Sequence, residues 1–283
     1  MNILTFDIED WYNCDFISGD FEWNKFEVRI YKGVDRILEE LNHRNIKGTF
    51  FCLGWLAENH PTVIRSIKDE GHHIGCHSYQ HELSFRFNRQ LFMEDTSKST
   101  KLLEDIIGEK VTAFRAPGFS ITQQNKWALE TLVQIGYEFD CSIFPAYHDY
   151  GGMPSYGDGV PRIIDLGNGI SIKEFPINFH KIAGKDLIFS GGGFFRLFPY
   201  SLIKKWMTES QYTMTYFHPR DFDSGQPIVK GLPLMRYFKS YVGIKGAFKK
   251  FQKILDDFPF INIEEANRIT DWHKHPTLNI DKL

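Results

Sequence analysis

The stretch Ile74-Gly-Cys-His-Ser-Tyr-Gln-His-Glu82 places His77 and His81 four residues apart, directly after a short β-like run. Two imidazoles at this spacing can bind one metal ion, from one face of a helix or from a loop that turns once after a strand. A catalytic zinc ion usually takes three protein ligands, so a third must come from elsewhere in the chain. On its own the pair does not establish a metal site, and surface or hydrogen-bonded histidines are the simpler interpretation.

The start of the chain offers a third ligand. Asn2 to Phe6 predicts a short buried strand that runs directly into Asp7-Ile8-Glu9-Asp10. The carboxyl ends of strands are where α/β sheets and barrels place their chemistry. Strand alternation puts Asp7 and Glu9 on one side and leaves Asp10 at the turn. A solvated acidic loop is the alternative interpretation of this run.

Composition limits the class of protein. A chain of 283 residues is long enough for one large α/β domain with a buried core. The net charge of −3 gives no reason to expect nucleic acid or an acidic membrane as a partner. Aromatic residues make up 16% of the chain, which suits core packing or the walls of a carbohydrate groove. The cysteines lack the spacing of a zinc cluster or a disulfide framework, and they are Cys14, Cys52, Cys76 and Cys141.

No export or membrane segment is visible in the sequence. The chain begins Met1-Asn-Ile-Leu-Thr-Phe-Asp7, without the basic and apolar regions of a secretory signal. No apolar stretch approaches the ~20 residues that cross a bilayer. We therefore expect a cytoplasmic protein without a transmembrane segment.

Strand and helix patterns alternate through the first half of the chain. The predicted strands are residues 2–6, 49–53, 72–76, 112–116 and 137–140. Between them, apolar residues recur at helical spacing, which predicts helices over 32–44, 61–71, 88–107 and 122–134. This alternation predicts a parallel sheet or an α/β barrel.

The pattern changes in the second half. Residues 144–170 are rich in Pro, Gly, Tyr and Asp and predict an irregular insertion. Ser190 to Arg196 predicts a tight backbone turn, without the Gly-Lys-Ser/Thr of a phosphate loop. The remaining predicted elements are strands at 171–175 and 214–217, a helix at 200–209 and a basic C-terminal helical segment at 234–258. No repeat or linker is apparent, so we predict a single domain over residues 1–283.

Five short motifs follow one another along the chain. They are Thr5-Phe-Asp-Ile-Glu-Asp10, His77-Ser-Tyr-Gln-His81, Phe114-Arg-Ala-Pro-Gly-Phe119, Phe139-Asp-Cys-Ser-Ile-Phe144 and Tyr216-Phe-His218. In this order they resemble the motifs of the polysaccharide deacetylase family, carbohydrate esterase family 4. Ser190 to Arg196 and the segment from His218 to Pro227 are similar to the branch associated with exopolysaccharide and surface-glycan gene clusters. The resemblance implies a distorted, incomplete (β/α) barrel.

The resemblance also implies an activity, the metal-dependent removal of an N-acetyl group from an amino sugar in a polysaccharide or glycan precursor. His77 and His81 would then bind a divalent metal, zinc or alternatively cobalt or nickel. Asp7 would be the general base, held by Arg115 through a charge-assisted bond. His218 would be the general acid that protonates the departing amine, oriented and kept cationic by Asp140.

The first motif departs from the family pattern, which has two adjacent Asp where this chain has Asp7-Ile8-Glu9-Asp10. We expect Glu9 to be the third metal ligand because it shares a face with Asp7. Asp10 is the alternative ligand and otherwise a candidate for substrate binding. Pro117 and Phe119 are also candidate substrate-binding residues, as are Trp11 and Tyr12, with core or loop packing as the alternative for each.

Two other functions remain open on the same residues. One is the hydrolysis of another small C–N bond, such as deformylation of an amino sugar or opening of a cyclic ureide. The other is an inactive glycan-binding protein, which would not need the full set of motif residues. Without an export signal, we expect the substrate to be an N-acetylated sugar that is nucleotide-linked or lipid-linked. The sequence does not give the oligomeric state.

Overall fold

A mostly parallel sheet of eight strands is the centre of the fold in the computed structural model, which describes residues 1–13, 21–148, 150–182 and 184–283. The strands in chain order are β1 (Asn2–Ile3), β2 (Thr5–Ile8), β3 (Thr49–Cys52), β4 (His73–Cys76), β5 (Ala113–Phe114), β6 (Phe139–Asp140), β7 (Arg162–Gly167), β8 (Ile170–Glu174), β9 (His180–Ile182), β10 (Lys185–Leu187), β11 (Thr213–Met214) and β12 (Leu278–Asn279). The spatial order in the large sheet is β12-β7-β8-β6-β5-β4-β3-β2. Its neighbours are parallel except β7 with β8, which confirms the predicted α/β class.

Helices connect and cover these strands. In chain order they are α1 (Ile30–His43), α2 (Gly54–Asn59), α3 (Pro61–Asp69), α4 (Arg89–Ile107), α5 (Trp127–Ile135), α6 (Gly192–Leu197), α7 (Tyr200–Glu209), α8 (Leu234–Tyr241), α9 (Ile244–Asp257) and α10 (Ile263–Ile269). α1 buries an apolar stripe at helical spacing that includes Val34, Ile37 and Leu41. In the described parts of the chain, no helix is both long enough and apolar enough to cross a bilayer.

The register of the parallel strands aligns their carboxyl ends. One row across β2 to β5 consists of Ile8, Cys52, Cys76 and Phe114. Residues that directly follow these strands therefore leave the sheet at one edge, and strand alternation decides the face on which each side chain lies. Asp140 pairs with Phe114 and shares its face, whereas Arg115 lies on the opposite face.

A short segment before His218 extends the structure on the outer side of β2. β11 pairs with β1 in parallel, and Phe217 forms an isolated parallel bridge with Phe6. The N–H of Asp7 donates to the carbonyl of Phe217 over 2.8 Å, and the N–H of Phe217 donates to the carbonyl of Thr5 over 3.2 Å. These bonds bring His218 to the carboxyl end of β2. Because β11 and β12 lie in different sheets, the barrel is incomplete, as predicted.

Three parts of the second half differ from the sequence prediction. The stretch 144–170, expected to be irregular, contains β7, which forms an antiparallel hairpin with β8. The hairpin loop Asn168-Gly169 has φ values of +53° and +75°, the geometry that Asn-Gly favours. The Gly-rich segment that begins at Ser190 forms α6 instead of only a turn. The helical segment 234–258 is divided into α8 and α9 at Val242-Gly243, where Gly243 has a φ of +68°.

Aromatic residues on both sides of positions 14–20 belong to the core. Trp11, Tyr12 and Trp23 are buried, and Tyr12 stacks on Phe26 with ring centroids 5.3 Å apart. Core packing is therefore the role the structure gives to Trp11 and Tyr12. Residues 14–20, which include Cys14, lie outside the described residues. The other three cysteines are buried free thiols.

A buried pair of carboxyl groups joins β6 to β8. Asp140 and Glu174 are register partners, and their side chains are hydrogen bonded to each other. Burial, followed by the charge of Asp140, raises the pKa of Glu174 well above its usual range. Two adjacent carboxyl groups cannot both ionise easily in such a place, so they share a proton.

Replacing Glu174 with Gln should make stability less dependent on pH. The folded protein keeps a proton on Glu174 that the unfolded chain releases, so wild-type stability falls as the pH rises from the unfolded pKa to the raised folded pKa. Gln stays neutral, can donate to Asp140, and can accept the Ile143 N–H that now lies 3.1 Å from Glu174 Oε1. Urea unfolding at mildly acidic and alkaline pH should show the variant gaining stability over wild type at alkaline pH. Glu39→Gln, on the exposed side of α1, is the control and should follow wild type.

Replacing Gly33 with Ala should destabilise the fold through the turn that carries His218. A Cβ at Gly33 on α1 would lie 2.6 Å from Pro219 Cβ and 2.7 Å from the Pro219 carbonyl oxygen. We expect a loss of about 1–3 kcal/mol in unfolding free energy from overpacking. Gly246→Ala on α9 meets nothing within 4 Å and should gain up to about 1 kcal/mol from helix propensity. Equal unfolding midpoints for the two variants would contradict this packing argument.

Candidate active site

Side chains that follow β2 and β4 form a cluster of possible metal ligands. Glu9, His77 and His81 each offer one ligand atom, and these atoms lie within 4.8 Å of one another. Glu9 and His77 are buried and His81 is partly buried. One carboxylate with two imidazoles is a donor set of catalytic zinc sites. The cluster therefore fits a divalent cation. Glu9, and not the alternative Asp10, lies where a third ligand would bind.

The ring of His77 is fixed in one tautomer. Its Nδ1 lies 2.8 Å from the backbone carbonyl of Arg115. A carbonyl only accepts, so Nδ1 carries the proton and Nε2 keeps its lone pair for a ligand. Burial, the largest cause, lowers the pKa of His77 to about 4. The imidazole is therefore neutral near pH 7, which is the form that binds metal ions.

His81 is placed by a turn and not by a helix. Ser78 and His81 have φ values of +64° and +60°, which non-glycine residues seldom adopt. The turn is held from two sides, since the carbonyl of Ser78 accepts the N–H of Gly54 over 2.9 Å and the hydroxyl of Ser99 over 3.0 Å. The N–H of His81 also donates to Ser78 Oγ over 3.1 Å. Backbone strain of this kind persists only when the surroundings enforce it, and it is common at functional sites.

Glu9 lies among histidines. Its Oε2 is 2.8 Å from His81 Nε2, and its Oε1 is 3.5 Å from His218 Nε2. Burial alone would raise the pKa of Glu9, but the neighbouring imidazoles, His81 above all, outweigh burial and lower it to about 2. Glu9 is therefore a carboxylate at neutral pH and can act as a ligand.

Arg115 forms a buried ion pair with Asp7. Its Nη1 donates to Asp7 Oδ1 over 2.7 Å and to Thr5 Oγ1 over 2.8 Å. The other oxygen of Asp7 lies 3.8 Å from His218 Nε2. Because Arg115 is only 1% exposed, its charge is kept by these partners and not by water. The pairing that the resemblance implied between Arg115 and Asp7 is present in the structure.

His218 is oriented by Asp221 and not by Asp140. His218 Nδ1 lies 3.1 Å from Asp221 Oδ2, and the backbone N–H of His218 donates to the same oxygen over 2.9 Å. Burial alone would lower the pKa of His218, but the bond with Asp221 and the charge of Glu9 outweigh it and raise the pKa to about 9. His218 is therefore cationic at neutral pH. This corrects the expectation that Asp140 performs this role.

The register of the sheet explains why the side chain of Asp140 does not reach His218. Asp140 shares the strand face of Phe114, opposite to Arg115, and faces Glu174 on β8. Its Oδ1 accepts the Ser142 hydroxyl over 2.5 Å, and Ser142 Oγ accepts the N–H of Ala116 over 2.8 Å. Asp140 thus supports the chain after β5 and does not contact His218.

Arg196 is a second residue that the sequence reasoning missed. Its Nε lies 3.1 Å from Asp221 Oδ1, so Asp221 is held between a guanidinium and an imidazole. Burial alone would raise the pKa of Asp221, but Arg196 and then His218 outweigh it and lower that pKa to about 2. An acidic residue three positions after His218, in His218-Pro-Arg-Asp221, was a usable signal for Asp221. No pattern in the sequence links Arg196 to it.

The candidate substrate-binding residues have different surroundings. The carboxylate of Asp10 accepts the backbone N–H groups of Arg29 and Ile30 over 2.7 and 2.8 Å at the start of α1, and that of Trp11 over 2.7 Å. This corrects the expectation for Asp10, whose oxygens anchor α1 and are not free for substrate. Phe119 packs edge-on against Tyr216, with ring centroids 5.4 Å apart. The ring of Tyr216 lies edge-on to that of His218, with centroids 6.2 Å apart.

The ring of Tyr216 thus lies between Phe119 and His218, the candidate general acid. It is 8% exposed, and its ring centroid is 5.5 Å from the guanidinium of Arg115. Pro117 is buried in the same short 3-10 turn, Pro117–Phe119. Phe119 and Pro117 are therefore packed inside the fold beside the site, and their role in substrate binding stays a prediction.

Known proteins resemble this chain over almost its whole length. Residues 4–139 match the family model described as Polysaccharide deacetylase, and residues 141–268 match a domain of unknown function, DUF3473. A peptidoglycan-N-acetylglucosamine deacetylase of Bacillus cereus is 35% identical over 96 residues, covering 34% of this chain and 35% of that protein. The chain therefore spans about a third of the Bacillus protein. A peptidoglycan deacetylase of Helicobacter pylori is 22% identical over 254 residues, covering 80% of this chain and 83% of that protein.

A solved structure supports the fold. The crystal structure of a presumed polysaccharide deacetylase from Mycobacterium smegmatis superposes with a TM-score of 0.64 at 20% identity, covering 98% of this chain and 92% of that one. At this identity the likeness concerns the fold alone, and it agrees with the incomplete barrel. The family model covers the strands that carry Asp7, Glu9, His77, His81 and Arg115. Residues 4–139 of the chain therefore belong to the polysaccharide deacetylase family.

Proposed function

We propose that this protein is a metal-dependent hydrolase that removes the acetyl group from an N-acetylated amino sugar. The observation that carries the proposal is the meeting of three possible metal ligands with a carboxylate and a cationic imidazole. His218 Nε2 lies 3.5 Å from Glu9 and 3.8 Å from Asp7. Amide hydrolysis needs these same groups, namely an activated water, a base and an acid for the leaving amine.

Glu9, His77 and His81 are the residues that would hold the cation. When bound, a divalent cation would lower the pKa of an adjacent water from ~16 toward ~7 and polarise the acyl oxygen. We propose zinc because two His and one Glu are a known catalytic zinc set, with cobalt and nickel as alternatives. His77 Nε2 is available because Nδ1 is bonded to the carbonyl of Arg115.

Asp7 is the proposed general base. Its Oδ1 is held by Arg115, and its Oδ2 faces His218. The bond with Arg115 fixes the direction of the Asp7 side chain. Asp7 accepts a proton from water as the water oxygen bonds to the acyl carbon.

His218 is the proposed general acid. Asp221 keeps it cationic, so it can transfer a proton to the sugar nitrogen as the C–N bond breaks. The products are acetate and the free amino sugar. Without that proton the leaving group would be an amide anion, which is too basic to depart.

The finer identity of the substrate also belongs to this proposal. The relatives named above act on peptidoglycan by their names, which favours an N-acetylated hexosamine in a glycan for this chain. Phe119 and Tyr216 offer aromatic walls beside His218. A nucleotide-linked or lipid-linked form, the exopolysaccharide branch and a cytoplasmic location stay predictions from the sequence. Formylated amino sugars should be assayed beside acetylated ones.

Loss of any proposed ligand should remove metal and activity together. We expect Glu9→Gln, His77→Gln and His81→Gln to lower acetate release by more than the roughly 10–100-fold that loss of an outer-sphere partner costs. Zinc per chain is measured by elemental analysis, and acetate release is followed with N-acetylglucosamine oligomers. His43→Gln, exposed at the end of α1, is the matched control. Wild-type protein that binds no zinc, cobalt or nickel when they are supplied would overturn the proposal.

The role of Asp221 can be separated from a general loss of structure by changing the leaving group. His218→Asn and Asp221→Asn should slow deacetylation of the sugar amide by roughly 10²–10⁴-fold, the usual contribution of a general acid. Hydrolysis of 4-nitrophenyl acetate should change little, because nitrophenolate departs without a proton. If Asp140→Asn had this selective effect and Asp221→Asn did not, the assignment of Asp221 would be wrong.

A further inference from the structure

The apolar side chains of α8 are unusually exposed. Leu234, Met235, Tyr237 and Phe238 are 84%, 67%, 40% and 46% exposed. Leu234, Tyr237 and Phe238 follow the i, i+3, i+4 spacing of a helix face that is normally turned to a core. Large apolar side chains exposed together on one helix indicate a place where a partner or a membrane binds.

α8 is nevertheless held firmly against the body of the protein. Arg196 donates to the carbonyls of Lys239 and Ser240, each over 2.8 Å. The hydroxyl of Tyr241 donates to the carbonyl of Pro227 over 3.1 Å, next to Ile228, which is 62% exposed. The exposure of α8 is therefore a property of the ordered fold.

The chain around α8 is strongly basic. Residues 224–255 contain seven Lys or Arg and no Asp or Glu, although the whole chain has a net charge of −3. On α9 the exposed residues Lys245, Lys249 and Lys253 are spaced four apart, while the apolar residues of that helix face the core. Lys230, which precedes α8, is also exposed. The net charge of −3, which is no reason to expect an acidic membrane as a partner, conceals this local excess of basic residues.

We propose that α8, with the basic residues on both sides of it, is a docking surface for a membrane rich in anionic phospholipid. An interfacial helix buries apolar side chains at the boundary of headgroups and acyl chains, while nearby lysines attract the phosphates. Both requirements are met within residues 228–253. Arg196 also joins α8 to Asp221, so docking would hold the site next to the membrane surface.

A second copy of the chain is the competing occupant. In a two-fold dimer the same patch faces itself, so the basic segments would lie against each other. Like charges at short distance are unfavourable. A lipid surface of opposite charge fits the segment better, and self-association becomes an outcome of the test.

The test is co-sedimentation of the full chain with phosphatidylcholine vesicles, with or without phosphatidylglycerol. Wild type should bind only the anionic vesicles, and added salt should weaken binding because it screens exposed charges. The double variant Leu234→Ser, Met235→Ser should bind at least roughly tenfold more weakly, because two large apolar side chains are no longer removed from water. Lys245→Gln with Lys249→Gln should also weaken binding. Ile170→Ser, at an exposed apolar residue on β8, is the matched control and should bind as wild type.

The outcomes separate this proposal from the proposed function. Deacetylation of soluble N-acetylglucosamine oligomers should be unchanged in the α8 double variant, so failure of either proposal is visible without the other. Absence of binding to anionic vesicles, or binding that the double variant leaves intact, would overturn the docking surface. A dimer in solution that the double variant dissociates, without vesicle binding, would assign the face to self-association instead.

Discussion

The buried ion pair between Arg115 and Asp7 is the interaction on which the site depends. Arg115 follows β5 and Asp7 lies within β2, so one side chain reaches across two intervening strands. Its guanidinium lies 4.2 Å from the ring centroid of Phe51 on β3, and its Nε donates to the carbonyl of Cys141 over 3.3 Å. A buried guanidinium is costly unless its donors are paired, so these contacts are required together. Removing one partner would leave a buried charge beside the metal ligands.

His77 and His218 illustrate how the surroundings of a residue determine its protonation state. His77 is buried beside a carbonyl and stays neutral, with its pKa lowered to about 4. His218 lies between carboxylates and is cationic, with its pKa raised to about 9. A neutral imidazole can be a ligand, and a cationic one can be an acid. This difference between the two pKa values depends on Asp221, whose negative charge is stabilised by Arg196.

Local distribution of charge matters more here than the net value. The chain carries −3 overall, and three of its acidic residues, Asp7, Glu9 and Asp221, surround His218 at the site. The C-terminal part of the chain carries the opposite charge next to exposed apolar residues. Arg196 joins these two regions, since it contacts Asp221 at the site and donates to the carbonyl of Ser240 on α8.

The sequence by itself determined the fold class and the residues that follow β2, β4 and β5. These come from local patterns, since strand periodicity and strand ends are properties of consecutive residues. It also favoured Glu9 over Asp10, because alternation along one strand needs no tertiary information. The Asn168-Gly169 pair is also a local signal for a hairpin loop, but the many Pro and Gly residues around it favoured the prediction of an irregular segment.

Only the tertiary structure decided the partner of His218. The choice between Asp140 and Asp221 depends on the register of β6 against β5 and on the face that this register gives Asp140. The choice also depends on the approach of α6, which brings Arg196 to Asp221 from 25 positions away in sequence. Contacts between distant segments are set by how whole elements pack, and no local pattern encodes them. The exposure of α8 is of the same kind, since its amphipathic sequence would equally suit a buried helix.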